Sequence, residues 1–169
     1  MKHRIMWIAI LVVALILQMT ILPQVMLQTI KVDLMMIIVL AYGLLQGSKE
    51  GCLFGMVVGL VADCFFGQPF GFQILLKALM GFLAGRLHGM YLENQAGVPA
   101  LAFTGGYFAH EIMLFLGYRM FYPGPFFPSG KYWQIIGASF LVSGAVFIGM
   151  YYLFRRFLQF EKKIGIIKD

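Results

Sequence analysis

Glycine recurs at every fourth position from Gly43 through Gly47, Gly51 and Gly55 to Gly59, and the register continues through Asp63 to Gly67 and Gly71. A four-residue step sets these positions along one slowly drifting stripe of a helix. In water such a stripe makes a weak helix, because each glycine costs about 1 kcal/mol relative to alanine. Between membrane helices it is useful, since small residues let two backbones approach closely. A carboxyl group on the same stripe, inside an apolar segment, is expensive and calls for a role.

The surrounding composition fits a lipid setting. Of the 169 residues, 61% are hydrophobic and 12% are charged, against roughly 25% charged in an ordinary soluble domain. Mean hydropathy is +0.86. Residues 1–169 are expected to form a single polytopic membrane domain, with no room for a soluble domain of usual size beside it. The formal charge of +6 is then read through membrane topology and not as a nucleic-acid footprint. Cys52 and Cys64 fall on one expected helix, about 18 Å apart at the helical rise, which excludes a disulfide. No His or Cys grouping has metal-ligand spacing, so neither metal nor cofactor is expected.

The fold class expected is an all-α integral membrane protein with six transmembrane helices in one small bundle. The spans lie at about 5–22, 32–45, 51–66, 69–87, 98–118 and 133–154. The first apolar run follows Met1-Lys2-His3-Arg4 without a convincing small-residue cleavage site, and it reads as a retained span. The second is short for a core of about 30 Å, and reading it as re-entrant leaves five spans. With the N-terminus inside, cytoplasmic segments hold Lys2, Arg4, Lys49, Arg86, Arg155, Arg156, Lys162, Lys163 and Lys168, and outer segments hold Lys31, Arg119 and Lys131. That bias puts both the N and C termini in the cytoplasm. Gly67, Pro69 and Gly71 supply turn chemistry for a tight outer hairpin. The proline-rich outer loop 119–131 is either an interfacial aromatic segment or a docking surface. The basic tail from Arg155 to Lys168 is either a headgroup-bound segment on the inner leaflet or a disordered topology signal.

The ionisable residues within the spans are Asp63, Lys77, His110 and Glu111. Lys77 and Glu111 sit at similar depths below the outer face, so they are expected to pair; snorkelling of Lys77 is the alternative. Asp33, beside Lys31, reads as half of a local surface pair. Asp63 has two readings. It accepts hydrogen bonds from the backbone of the glycine-rich 67–71 hairpin, or it contributes to a partner-docking surface. Gly51, Gly55, Gly59, Gly67 and Gly71 are the accompanying packing or partner-binding positions, either within the bundle or against another helix.

Val32-Asp33-Leu34 opening a span, then Gly47, Gly51, Gly55, Gly59-Leu60 and Asp63, resembles the MreD family of rod shape-determining proteins. Gly67, Gly71 and Gly81-Phe82-Leu83-Ala84-Gly85-Arg86-Leu87 continue the likeness, which covers roughly residues 30–90. Val32 departs from it, where the family often has proline. The resemblance implies a non-enzymatic adaptor in the inner (cytoplasmic) membrane of a bacterium, within the machinery of cell-wall elongation. Its partners would be a bitopic MreC-like protein and, through it, MreB and the RodA/transpeptidase pair that builds peptidoglycan. The family is also similar to the six-helix substrate-binding subunits of energy-coupling-factor vitamin transporters, which supplies an alternative function.

The residues themselves offer no convincing catalytic set. His110 and Glu111 are adjacent, so they point about 100° apart on a helix. Thr104, Ser139 and Ser143 are hydroxyls of the kind that more often pack than react. A transporter would use intramembrane charges as a pathway, yet no inverted repeat is evident. An adaptor would use part of the glycine stripe for a partner's single span. Self-association is open.

Overall fold

The computed structural model describes residues 11–21, 32–66, 69–92, 97–121 and 130–163, and its described secondary structure is helical. Helix α1 covers 11–21 and closes in a π turn, Leu17–Ile21. It is followed by α2 (Leu34–Gln46), α3 (Ser48–Phe66), α4 (Phe72–Arg86), a short α5 (His88–Leu92), α6 (Val98–Phe121) and α7 (Gly130–Lys163). Each of the six apolar stretches thus carries a helix. The boundaries differ from those expected: α4 begins three residues after Pro69, α6 runs on to Phe121, and α7 extends well past Phe154. Gly67, most of the 119–131 loop and the end of the basic tail lie outside the described residues.

Two described helical stretches, Val98–Phe121 and Trp133–Arg156, have the length and apolarity to cross a membrane. Leu11–Thr20 and Leu34–Gln46 are apolar but shorter. The shortfall from six has two causes: α3 has 19 residues but carries Lys49, Glu50 and Asp63, and the others are short. The 13 residues of α2 reach about 20 Å at the helical rise, against a hydrocarbon core of about 30 Å.

Helix α2 is the core. Every residue from Met35 to Leu45 is buried, so it is apolar all round, as an enclosed helix must be. It ends at Gly47, whose φ of 93° is left-handed and suits glycine. The chain turns there directly into α3, and Tyr42 of α2 stacks on Phe54 of α3 with centroids 4.2 Å apart.

The most extensive interface is between α3 and α4, with α2 against α4 next. Glycine makes both possible. A Cβ added at Gly51 would lie 2.5 Å from the Gly81 carbonyl oxygen and 2.7 Å from the Gly43 Cα, so three helices meet at three glycines. One turn on, a Cβ at Gly55 would lie 2.7 Å from the Lys77 carbonyl carbon and 2.9 Å from the Ala78 Cα. At Gly59 it would lie 2.5 Å from the Ile74 Cα. The expected single stripe is thus divided: Gly51, Gly55 and Gly59 pack α3 on α4, as small residues do between membrane helices, while Gly43 lies on α2 and Gly47 and Gly71 are left-handed residues at helix ends.

Helices α6 and α7 join through aromatic side chains. Phe103 packs on Phe147 at 5.1 Å and on Phe140 at 5.4 Å, and Tyr107 meets Phe140 edge-on at 5.3 Å. The Tyr107 hydroxyl donates to the Ile136 carbonyl at 3.3 Å, giving the polar end of a buried tyrosine its partner.

Candidate functional site

Asp63 lies at the C-terminal end of the glycine stripe of α3 and is 5% exposed. Its carboxylate accepts from the backbone N–H of Gly71 at 2.9 Å, Gln73 at 3.1 Å and Ile74 at 3.3 Å. Gly71 is the N-cap of α4, left-handed at φ 98°, and makes no side-chain cap bond. The first N–H groups of a helix have no partner within it, and a cap side chain usually takes those of the second and third residues. Asp63 satisfies those donors, Gln73 and Ile74, from the preceding helix. A negative group at this end also opposes the positive end of the helix dipole. Of the two readings of Asp63, these contacts are those of the carboxylate that locks the turn between α3 and α4.

A second polar cluster joins four helices. Asp33 is the N-cap of α2, in extended conformation at φ −95° and ψ 94°, and accepts from the Met36 N–H at 3.0 Å. Gln18, in the π turn of α1, accepts the Met35 N–H at 3.2 Å and lies within 3.5 Å of Asp33 through its amide nitrogen. Single π turns often sit where a helix must aim a side chain. Lys77, from the second turn of α4, donates to the other Asp33 oxygen at 2.6 Å. His110 of α6 brings Nε2 to 3.5 Å from that oxygen, and its Nδ1 is 3.9 Å from the Glu111 carboxyl. Lys77 and His110 are almost fully enclosed, whereas 23% of the Asp33 and 28% of the Glu111 side chain is exposed.

These contacts correct one expectation. Lys77 pairs with Asp33, not with Glu111; matched depth along two helices says nothing about which way each side chain points. The expected pairing of Asp33 with Lys31 involves a residue outside the described ones, but among the described residues Asp33 turns to Lys77, Gln18 and the start of α2. Asp33 is the acceptor at the centre of the cluster. Gln18 and Asp33 belong to the cluster although neither is among the site residues expected from the sequence. An aspartate directly before the apolar run from Leu34 is a helix-start signature, and Gln18 is an amide in the otherwise apolar first run, so both left a signal.

The cluster holds helices together more readily than it performs chemistry. The carboxylate of Asp33 neutralises the Lys77 ammonium, and the Asp33 oxygens are occupied by Met36, Gln18 and Lys77. Breaking one member would strand the other in an apolar surround. Among the described residues, no three His, Cys, Asp or Glu side chains group to hold a metal ion. Thr104 faces outward on α6, while Ser139 and Ser143 are buried on α7. Cys52 and Cys64 are both free.

A family model described as rod shape-determining protein MreD matches residues 2–160 of this chain. No curated protein and no solved structure matches it significantly.

Proposed function

The chain belongs to the MreD family of rod shape-determining membrane proteins, and on that premise we propose that it is a non-enzymatic adaptor of the bacterial cell-wall elongation machinery. In this reading the whole chain is one domain of the cytoplasmic membrane, crossing six times with both termini inside. It binds a bitopic MreC-like partner and, through it, communicates with MreB and the RodA/transpeptidase pair.

The observation that carries the proposal is the family match over nearly the whole chain. Two structural features support it. Asp63, Asp33 and Lys77 are engaged by the protein's own backbone and side chains, which leaves them to hold the fold. The long helices α6 and α7, by contrast, present much apolar surface outward, with 33% and 22% of their membrane-length windows buried in the molecule.

Copurification of the tagged full-length chain from native membranes tests the adaptor role. The expected result is a single-span MreC-like protein recovered in near-equal amount. Saturable binding of a small ligand without such a partner would instead support the vitamin-transporter subunit and overturn the adaptor.

A further inference from the structure

Glu111 is the one acidic residue of α6, and it stands ten residues before the helix end at Phe121, about 15 Å along the axis. More than a quarter of its side chain, 28%, is exposed. Its immediate neighbours on the outward side are apolar: Phe108, Ile112 and Leu116 are each at least half exposed. Among the described residues its polar neighbour is His110, whose Nδ1 lies 3.9 Å away, an ion pair when the imidazole is protonated but beyond hydrogen-bond distance. The buried cation that could have reached it, Lys77, is bonded to Asp33. A carboxyl at such a depth on an outward face is costly, because acyl chains offer no donor.

The same face has room for another backbone. Gly105 lies two turns before Ile112, is exposed, and a Cβ there would meet nothing within 4 Å. Helix α7 differs in kind. Between Lys131 and Arg155 it has no Asp, Glu, Lys, Arg or His, so its outward residues Leu141, Ile148 and Leu153 ask for nothing that lipid cannot provide.

We propose that the outward face of α6 from Gly105 to Leu116 is where a partner's membrane-crossing helix docks, and that the partner brings a hydrogen-bond donor or cation to Glu111. The inference rests on the adaptor reading and gives it an address. Apolar residues of the partner cover Phe108 and Ile112, and its backbone closes on Gly105. The donor, a hydroxyl, amide or basic side chain, lies at the depth of Glu111.

Photocrosslinking in native membranes tests this. Benzoylphenylalanine is placed in the full-length chain at Phe108 or Ile112 on α6, and at Leu141 or Ile148 on α7, and the adduct peptides are sequenced. The expected adducts at 108 and 112 map to the membrane span of a single-span protein of the rod-shape system, with few at 141 and 148. Per folded protein, Glu111→Leu lowers that adduct and the copurified partner about three- to tenfold, the range of interhelical polar contacts. Glu111→Gln keeps an acceptor and stays within about twofold. Adducts at 108 and 112 to lipid alone, or to a second copy of this chain, overturn the inference, as does equal crosslinking from α7. Undiminished partner recovery with Glu111→Leu overturns it while leaving the adaptor role intact. Absence of any single-span partner from the wild-type preparation overturns both.

Discussion

The α3–α4 hairpin and the α6–α7 pair associate in opposite ways. In the hairpin, glycines bring backbone against backbone, so that Gly51, Gly55 and Gly59 each stand where a methyl group would strike the main chain of a neighbour. In the pair, Phe103, Tyr107, Phe140 and Phe147 keep the helices a side chain apart. There the glycine that faces inward, Gly144, meets the edge of the Phe103 ring, with a Cβ falling 3.2 Å from it. A backbone seam tolerates almost no substitution, because close-packed main chain cannot rotate out of the way. A side-chain seam can repack. The lesson is that one composition, rich in glycine and aromatics, builds a rigid half and an adaptable half, with the outward carboxyl of Glu111 on the adaptable one.

The largest expected effect is on the backbone seam. Gly55→Leu would drive a side chain into the Lys77 and Ala78 main chain and is expected to cost more than about 3 kcal/mol, at the upper end of overpacking. Gly137→Leu on α7, where nothing lies within 4 Å, should leave the protein folded. Monodisperse yield and thermal unfolding in detergent read both. Equal losses from the two would break the contrast between the halves.

Lys77 tests how the halves are joined, since its partner Asp33 caps α2 and its neighbour His110 belongs to α6. Lys77→Met is expected to cost about 3 kcal/mol, because it leaves Asp33 without its cation. In the double variant Asp33→Asn, Lys77→Met, much of that loss should return. Glu111→Lys added to Lys77→Glu should bring no rescue, since those two side chains are not paired. A double variant no more stable than Lys77→Met would remove the pair as the joint.

The stripe and the turn lock were legible because both are local. Four-residue spacing marks a helix face, and Asp63 stands eight residues from Gly71, close enough for sequence alone to suggest the bond that the carboxylate makes. The Asp33–Lys77 pair spans 44 residues and was not legible. Depth arithmetic led from Lys77 to Glu111, yet adjacent positions on a helix differ by about 100°, and it is His110 that turns inward. The full burial of α2 was also hidden, because an apolar run of 13 residues reads equally as a short span or an enclosed core helix.

Asp63 sharpens the account of the rigid half at a smaller scale. Asp63→Leu removes all three backbone bonds to the start of α4 and is expected to cost about 2 kcal/mol, whereas Asp63→Asn keeps an acceptor and should cost about 1 kcal/mol. Folded yield and unfolding temperature should rank wild type, Asn, then Leu. If the two variants are equally stable, the capping bonds contribute nothing beyond occupancy of the site.

The smallest effect has the opposite sign. Gly149 is exposed within α7, and a Cβ there would meet nothing within 4 Å. A glycine in a helix interior costs roughly 0.5–1 kcal/mol against alanine through backbone freedom in the unfolded chain. Gly149→Ala should therefore raise the unfolding temperature slightly, a gain of about 0.5 kcal/mol. The identical change at Gly51 should lower it, because the same methyl group would stand 2.5 Å from the Gly81 carbonyl oxygen and 2.7 Å from the Gly43 Cα. The pair holds chemistry constant and varies only what the methyl meets, so opposite signs isolate the difference between the seams. A loss at Gly149 would mean that its face is covered in the purified protein. Cover that is lost on dilution would identify a second copy of the chain there, and the outward side of α7 would no longer count as a lipid face.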